Sequence, residues 1–427
     1  MIKFFIFTAL SLPLLAADFY LSPKGAGTAD GSSRENAAPP AKADALFNET
    51  LKPGDRLLLL PGIYEKLEIT LASSGTADAP KTLAGVVEDQ KKPTLKSTWE
   101  LTSKKTYDTA IRLAEGVSHL RVENLHLSHY TFAVKADSSA KQARENVTFT
   151  DLDIDHVRHS FYLSDFKKLT LKNIKTVRYR KHAYRFEEGC VDVLVENCLA
   201  DCSEGDPTWE AGTELFPFGF TARNSKKRPN SKFRFIDCAA LNNVMPRQDT
   251  KYRNGDGFVI ENAVEDVSFL RCRAQRNQDG GYDLKSPNVT LRDCIATHNG
   301  RDFRIWYGGT LENCFAGFSY TGLWNNGPGL TASHCTLYGH KVSAMSDDRA
   351  TDQLVIKDSL LVDLGQHEEY EAKRRKTTLE NCEIIRPKDE ENDPKFVNPT
   401  EKWFGEGDNF DSRTFPDKGY SSTRVSK

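Results

Sequence analysis

The chain has 427 residues and a formal net charge of −2, because 58 Lys and Arg residues nearly balance 60 Asp and Glu residues. A chain of this length exceeds the usual size of one globular core, which indicates either several domains or a repeat protein. The balanced charge gives no support for nucleic-acid binding by bulk electrostatics, although a local basic site could still bind another polyanion.

The N-terminus has the order of a secretory signal. Lys3 is followed by an apolar run from Phe4 to Leu15 that closes on Ala16 and Ala17. This run is shorter than the roughly 20 residues that a membrane-spanning helix needs. Residues 1–17 are therefore predicted to be removed, and the mature protein is expected to be secreted to the periplasm or the exterior, with no membrane span.

Residues 18–96 are predicted to form an N-terminal cap and the first coils of a solenoid. An amphipathic stretch from Ala41 to Leu51 predicts a helix that covers the open end. Residues 97–387 contain the repeats, and the polar, irregular residues 388–427 are expected to form a C-terminal cap and tail.

The repeat is a strand-like run, then a polar residue, then a small or aliphatic one, as in Val122-Glu123-Asn124-Leu125. The last residues of these phrases form a column: Leu125, Leu152, Ile174, Cys198, Cys238, Cys272, Cys294, Cys314, Cys335, Ser359 and Cys382. The commonest step is about 20 to 24 residues, which suits three short strands and three turns but no repeated helix. The sequence therefore predicts an all-β fold, a right-handed parallel β-helix of about eleven coils.

Seven of the nine cysteines lie in this column, and Cys190 and Cys202 lie outside it. Free cysteine packs as a small hydrophobe, so a shared inward position explains the series better than disulfides or metal binding. The Asn and Asp residues that precede the column are predicted to form side-chain ladders at the turn.

A second strand in each coil is recognisable by its aromatic residue, and alternation then assigns an outward row. That row is predicted as Ala133, Tyr162, Arg185, Gly219, Val259, Asp283, Arg304 and Trp324. The next outward row is predicted as Lys135, Ser164, Glu187, Thr221, Glu261, Lys285 and Trp306. Insertions at 203–217 and 243–254 are expected to wall a cleft beside this face.

Two glycine-rich phrases enter this strand in adjacent coils, Asn254-Gly255-Asp256-Gly257-Phe258 and Asp279-Gly280-Gly281-Tyr282-Asp283. Convergence of Asp256, Asp279 and Asp283 would give an oxygen-rich pocket suited to Ca²⁺. The alternative is that these Asp-Gly pairs only form turns.

These phrases resemble those of polysaccharide lyase family nine, the pectate lyases with a right-handed parallel β-helix. The resemblance covers residues 250–310 and implies that Asp256, Asp279 and Asp283 are calcium ligands, with Gly280 standing where the family has a further aspartate. Arg304 stands where the family has its catalytic lysine. The pair Lys285 and Arg304 also resembles the lysine and arginine of family six, the chondroitinase-type and alginate-type lyases.

The predicted function is β-elimination on an acidic polysaccharide by a monomer. A cation would neutralise the uronate carboxylate while Lys285 or Arg304 removes the C5 proton. Four residues are predicted to bind substrate: Arg185 and Glu261, together with Trp306 and Trp324 as flat faces for sugar rings.

Two other classes of function stay open. A glycoside hydrolase needs two carboxylates at a set separation, which Asp256, Asp279 and Asp283 could supply. A non-catalytic carbohydrate-binding or surface solenoid would bind polysaccharide without turnover.

Overall fold

The structure is a computed structural model, and it describes most of the chain. The described residues are 16–101, 107–139, 141–206, 209, 216–223, 225–245, 254–341, 343–347, 354–362, 377–385, 396–398 and 409–424. The predicted signal at 1–17 lies almost wholly outside these residues, as does most of both insertions at 203–217 and 243–254. Within the described part, none of the helices has the length and apolar character needed to cross a membrane.

The chain winds into a parallel β-helix with three faces. The front face contains Ile69–Leu71, Thr109–Leu113, Phe132–Ala136, Phe218–Ala222, Asp256–Ile260, Thr321–Asn325 and Ser343–Asp347. The second face contains Asp18–Leu21, Arg56–Leu59, Lys81–Gly85, Ser118–Glu123, Arg144–Thr150, Ser231–Ile236, Glu265–Leu270, Leu330–Ser333, Leu354–Lys357 and Thr377–Glu380. The third face contains Ile63–Glu65, Thr94–Lys96, His126–Ser128, Ala239–Leu241, Arg273–Gln275, Ile295–Thr297, Phe315–Gly317, Thr336–Tyr338, Leu360–Val362 and Glu383–Ile385.

Longer strands pass through the corners and join the faces. They are Asp153–Leu163, Phe166–Phe186, Val191–Asp201, Gly280–Arg292 and Arg301–Glu312. Each strand pairs in parallel with its counterpart one coil later, as Asp18–Leu21 does with Arg56–Leu59. The predicted parallel β-helix is thus confirmed, and its first strand begins at Asp18.

The predicted interior column is confirmed along the solenoid. Its members from Leu125 to Ser359 are at most 2 % exposed, and Cys382 is partly exposed. The residue before each column member has a left-handed backbone, with φ of 59° at Asn124 and 51° at Asn313. Asn and Asp tolerate this conformation best, which explains why they recur at the corner.

The corner residues also form the predicted ladders. Asn197 donates its side-chain amide to Asn173 at 2.9 Å, and Asn173 donates to Asp151 at 3.1 Å. Asn313 donates in the same way to Asp293 at 2.7 Å. These bonds link successive coils at the corner, and the one from Asn313 also satisfies a buried side-chain amide.

All nine cysteines are free, and eight of them are buried. We expect denatured, unreduced protein to release nine titratable thiols, because each column cysteine packs beside backbone carbonyls of its own and the preceding coil. In the folded protein only Cys382 should react quickly. A thiol titration that recovers three or fewer would contradict the ladder.

Stacked aromatic rings fill the core behind the front face. Phe161, Tyr184, Phe220, Phe258, Tyr282 and Phe303 stack in sequence with ring centroids 4.5 to 5.4 Å apart. The predicted outward row was wrong at Ala133 and Gly219. Their positions are occupied by Lys135, which pairs with Tyr162, and by Thr221, which pairs with Arg185, although both were predicted in the next row. The cause is that Phe132 and Phe218 lie opposite His159 and His182, outside the core stack, and so misplaced the register.

The segments before and after the coils differ in structure. The predicted N-terminal helix is present but irregular, since it consists of a 3₁₀ turn at Pro40–Lys42, α-helix at Ala43–Ala45 and π-helix at Leu46–Thr50. Beyond the last coil in sequence, Phe396–Asn398 pairs antiparallel with Asn409–Ser412, and a 3₁₀ turn follows at Ser422–Arg424. The tail returns to the solenoid, where Tyr420 packs against Phe315.

Candidate active site

The predicted catalytic and metal-binding residues meet on three adjacent coils of the front face. In the register of the strands, Asp283 lies between Val259 and Arg304, and Arg304 lies next to Trp324. The sequence therefore predicted this part of the outward row correctly. Lys285 follows two residues after Asp283, where the pairing shifts register, and its Nζ reaches the carboxylate of Asp283 at 3.0 Å.

Asp256 is the most enclosed carboxyl group of the cluster. Its side chain lies at the strand entry, is 2 % exposed, and accepts the backbone N–H of Gly280 at 2.5 Å. Burial, together with the nearby charges of Asp283 and Asp279, raises the pKa of Asp256 well above its ordinary value. Asp256 therefore favours the protonated form.

Asp279 and Asp283 are both buried and both face cations. Arg301 Nη1 donates to Asp279 Oδ1 at 2.5 Å. Arg304 Nη1 lies 3.6 Å from Asp279 Oδ2 and 3.7 Å from Asp283 Oδ1. The guanidinium of Arg304 thus bridges the two carboxylates across adjacent coils.

Lys285 lies between two carboxylates. Its Nζ is 3.0 Å from Asp283 Oδ2 and 3.0 Å from Glu261 Oε1. Burial acts to lower the pKa of Lys285, but Asp283 and Glu261 outweigh it and raise the pKa above its usual value. Glu261, predicted to bind substrate, is therefore a direct partner of Lys285.

The two tryptophans surround Arg304 rather than forming open platforms. Arg304 Cζ lies 4.6 Å from the ring centre of Trp306 and 5.0 Å from that of Trp324. Trp306 donates its indole N–H to Asp283 at 2.6 Å, and Trp324 is only 8 % exposed. The prediction that Trp324 offers a flat face to a sugar ring is corrected, because its ring is packed edge-on against Trp306.

The cluster does not fit the predicted calcium ion. Ca²⁺ needs six to eight oxygen ligands, whereas the oxygens of Asp279 and Asp283 are already opposed by Arg301, Arg304 and Lys285. A Cβ at Gly280 would lie 2.9 Å from Asp256 Oδ1, so the further carboxylate of the family motif has no room without a shift. In this arrangement, guanidinium and ammonium groups supply the positive charge.

Arg185 belongs to a separate basic groove on the front face, nearer the N-terminus. The groove has a volume of about 350 Å³, and its lining residues are Phe132, Lys135, Asp137, Arg158, His159, Tyr162, Lys181, His182 and Arg185. Arg185 itself donates to Glu187 at 2.5 Å and lies 2.7 Å from His182 Nε2. The guanidinium of Arg185, which was predicted to bind a substrate carboxylate bidentately, thus already contacts two acceptors within the protein.

The groove is positive without help from its histidines. Burial, followed by the charge of nearby arginines, lowers the pKa of both His159 and His182 well below the ordinary value. Four Lys and Arg residues then face one acidic residue in the lining, Asp137. An anionic chain is the ligand that such a surface favours.

Sequence reasoning missed this groove and Arg301. Arg301 lies at the entry of its strand, opposite Gly280, where the chain turns out of the corner. Simple alternation counted from Phe303 assigns Arg301 to the interior. That assignment is wrong, because alternation holds only within a regular strand and Arg301 lies at the strand entry. The proximity of Arg301 to the phrase at 302–306 was the only available signal.

Comparisons with known proteins bear on the fold. No family model matches the chain, and no curated protein matches it. Among solved structures, pectate lyase Pel9A is similar with a TM-score of 0.52 and 14 % identity, over 86 % of this chain and 78 % of that one. XylC in complex with xylose is similar with a TM-score of 0.50 and 10 % identity, over 90 % of this chain and 88 % of that one.

These similarities show that the chain shares its fold with pectate lyase Pel9A and with XylC. At 10 to 14 % identity they show the fold alone.

Proposed function

We propose that the protein is an exported, monomeric polysaccharide lyase that cleaves a uronic-acid polymer by β-elimination. The observation that carries the proposal is the pair Lys285 and Arg304. Both cations lie on neighbouring strands of the front face, and Asp283 contacts each of them.

In this reaction Lys285, in its neutral form, accepts the C5 proton of the uronate. The electrons of that C–H bond form the C4–C5 double bond as the C4–O4 bond breaks, and the leaving oxygen takes up a proton. Arg304 neutralises the C6 carboxylate and stabilises the enolate that develops on it. Its planar guanidinium suits this role because it stays charged and can bind a carboxylate bidentately.

The charge distribution of the front face supports an acidic substrate. Lys135, Arg185 and Asp283 occupy the same register position on successive coils of the front face, with one coil between the first two and two coils between the last two. Adjacent strands are about 4.8 Å apart, so Arg185 lies roughly 14 Å from Asp283 along the solenoid axis. A polymer lying along this face would pass from the basic groove onto the cluster at Lys285.

The test is a product assay on a panel of uronate polysaccharides, with and without a chelator of divalent ions. We expect an unsaturated uronide, detected by ultraviolet absorbance, and the same rate in the presence of chelator. Saturated products from every active substrate would overturn the lyase proposal. Loss of activity in chelator, restored by Ca²⁺, would instead overturn the assignment of charge neutralisation to Arg304.

The Glu261→Gln variant should move the pH dependence of the rate. Glu261 raises the pKa of Lys285, so removal of its charge lowers that pKa and increases the neutral fraction of the amine at any given pH. We therefore expect the alkaline rise in turnover to shift to lower pH.

The matched control for this experiment is Glu187→Gln. Glu187 lies in the same outward row but pairs with Arg185 and Arg223 rather than with Lys285. The position of the alkaline rise should be unchanged in this control. An unmoved profile in Glu261→Gln would exclude Lys285 as the base.

A glycoside hydrolase is the second candidate, and the protonation pattern favours it. Asp256 is held towards its neutral form beside Asp279 and Asp283, which is the acid-and-carboxylate pattern of hydrolytic sites. The glycoside hydrolase is the less favoured candidate, because the carboxylates of Asp283 and Asp279 already pair with Lys285 and Arg301. The same product assay decides between the two, because a hydrolase makes no unsaturated sugar.

A further inference from the structure

A cluster of histidines lies on the third face, away from the acidic site. The strand His126–Ser128 pairs with residues 153–155 one coil later, so that Ser128 lies beside Asp155. His129 and His156 follow these strands at the same corner, with φ of 60° and 48°. This left-handed corner places the two imidazole rings in a parallel stack, with centroids 4.9 Å apart.

Asp155 completes the group. Its Oδ1 lies 2.6 Å from His156 Nδ1 and accepts a hydrogen bond from Ser128 Oγ, also at 2.6 Å. One donor atom from each of His129, Asp155 and His156 lies within 4.8 Å of the other two. The three side chains are 18, 23 and 30 % exposed in that order, so an ion has access from solvent.

We propose that His129, Asp155 and His156 bind a divalent transition-metal ion of the zinc type. Two imidazole nitrogens and one carboxylate oxygen are a donor set that suits Zn²⁺, whereas Ca²⁺ and Mg²⁺ prefer oxygen ligands alone. A tetrahedral site with bonds of about 2.0 Å needs ligand atoms about 3.3 Å apart. The ligand atoms lie up to 4.8 Å apart, so metal binding requires His129 and His156 to rotate out of their parallel stack at this partly exposed corner.

His126 is the positioning residue of this site. Its Nε2 contacts Asp155 Oδ2, and its Nδ1 lies 3.2 Å from Thr94 Oγ1. A histidine held between a hydroxyl and a ligating carboxylate orients that carboxylate, as outer partners of metal ligands commonly do. The site would then tie two consecutive coils together, and it does not depend on the proposed lyase activity.

The experiment uses the full-length mature protein, first dialysed against a chelator and then titrated with Co²⁺ and Zn²⁺. We expect one Co²⁺ per chain with the intense visible absorption of a tetrahedral nitrogen-containing site, and displacement of Co²⁺ by Zn²⁺. Zn²⁺ should also raise the melting temperature, because an ion that binds only the folded chain stabilises it. His129→Ala and His156→Ala should each weaken binding about tenfold or more, and His126→Ala should weaken it by a similar factor.

His298→Ala is the matched control. His298 follows the strand Ile295–Thr297 at the same left-handed corner, with φ of 58°, but it stacks on Phe318 instead of a second histidine. Binding should be unchanged in this variant. Equal weakening in His298→Ala, or no Co²⁺ absorption in the wild-type protein, would overturn the proposal. If an alanine variant fails to fold, Asp155→Asn tests the same site with unchanged side-chain volume.

Discussion

Lys285→Ala and Arg304→Ala are each expected to lower turnover of a uronic-acid polymer by about 10²- to 10⁴-fold, the usual contribution of a general base or of preorganised charge. Both side chains lie on the exposed side of adjacent strands, and neither is part of the aromatic core. The rate of formation of unsaturated product measures the effect. Arg234→Ala serves as the control, because Arg234 forms an exposed ion pair with Asp192 on the second face.

Lys285→Arg separates the two roles that a cation can have here. Arginine keeps the positive charge but is a poor proton acceptor. If Lys285 is the base, Lys285→Arg should be as inactive as Lys285→Ala. If Lys285 only neutralises charge, Lys285→Arg should keep most of the activity, and the base would have to be another group. Full activity in all three variants would remove the basis of the proposed lyase site.

The solenoid could be predicted from the sequence because its signal repeats. Each coil places a small or aliphatic residue in the interior column after a corner Asn or Asp, and one error in one coil does not destroy the pattern. The predicted register failed at Phe132 and Phe218, because the core position of each strand lies two residues later, at Val134 and at Phe220. Only the pairing of whole strands identifies Phe220 as the member of the core stack.

The candidate site could be predicted less completely. Alternation placed Asp283, Lys285 and Arg304 on one side of adjacent strands, and the contacts of Asp283 with both cations agree with this, although the strand pairing shifts register just after Leu284. It could not reveal which charges pair, since that depends on side-chain conformation across coils. In the structure, Arg304 contacts Asp279, and the buried ring of Trp324 packs against Arg304. The residues predicted to form a calcium pocket therefore form a network of paired charges.

Asp283→Asn is expected to reduce turnover about 100-fold or more while the solenoid remains folded. Asp283 contacts Lys285, Arg304 and Trp306, so it positions both proposed catalytic cations. Removal of its charge also lowers the pKa of Lys285, which should move the alkaline rise in the rate to lower pH. A purely structural role would not produce that shift in the pH profile.

The stability of Asp283→Asn follows from two opposing changes. Loss of one partner of a buried ion pair can cost about 3 to 5 kcal/mol. Against this, the variant removes one of the charges that raise the pKa of Asp256, and so lowers the cost of keeping Asp256 protonated in the folded chain at neutral pH. The net loss of stability should therefore be smaller. Thermal unfolding should therefore show only a modest fall in melting temperature, and circular dichroism at 25 °C should be unchanged.

Asp302→Asn is the control for this last prediction. Asp302 is buried on a neighbouring coil and lies 3.3 Å from His340 Nε2, and burial, opposed by His340, raises its pKa to about 6. This substitution should lower the melting temperature without moving the pH profile of the reaction. Wild-type turnover in Asp283→Asn would show that Asp283 only serves the turn, and a collapse of its melting temperature would show that its role is structural.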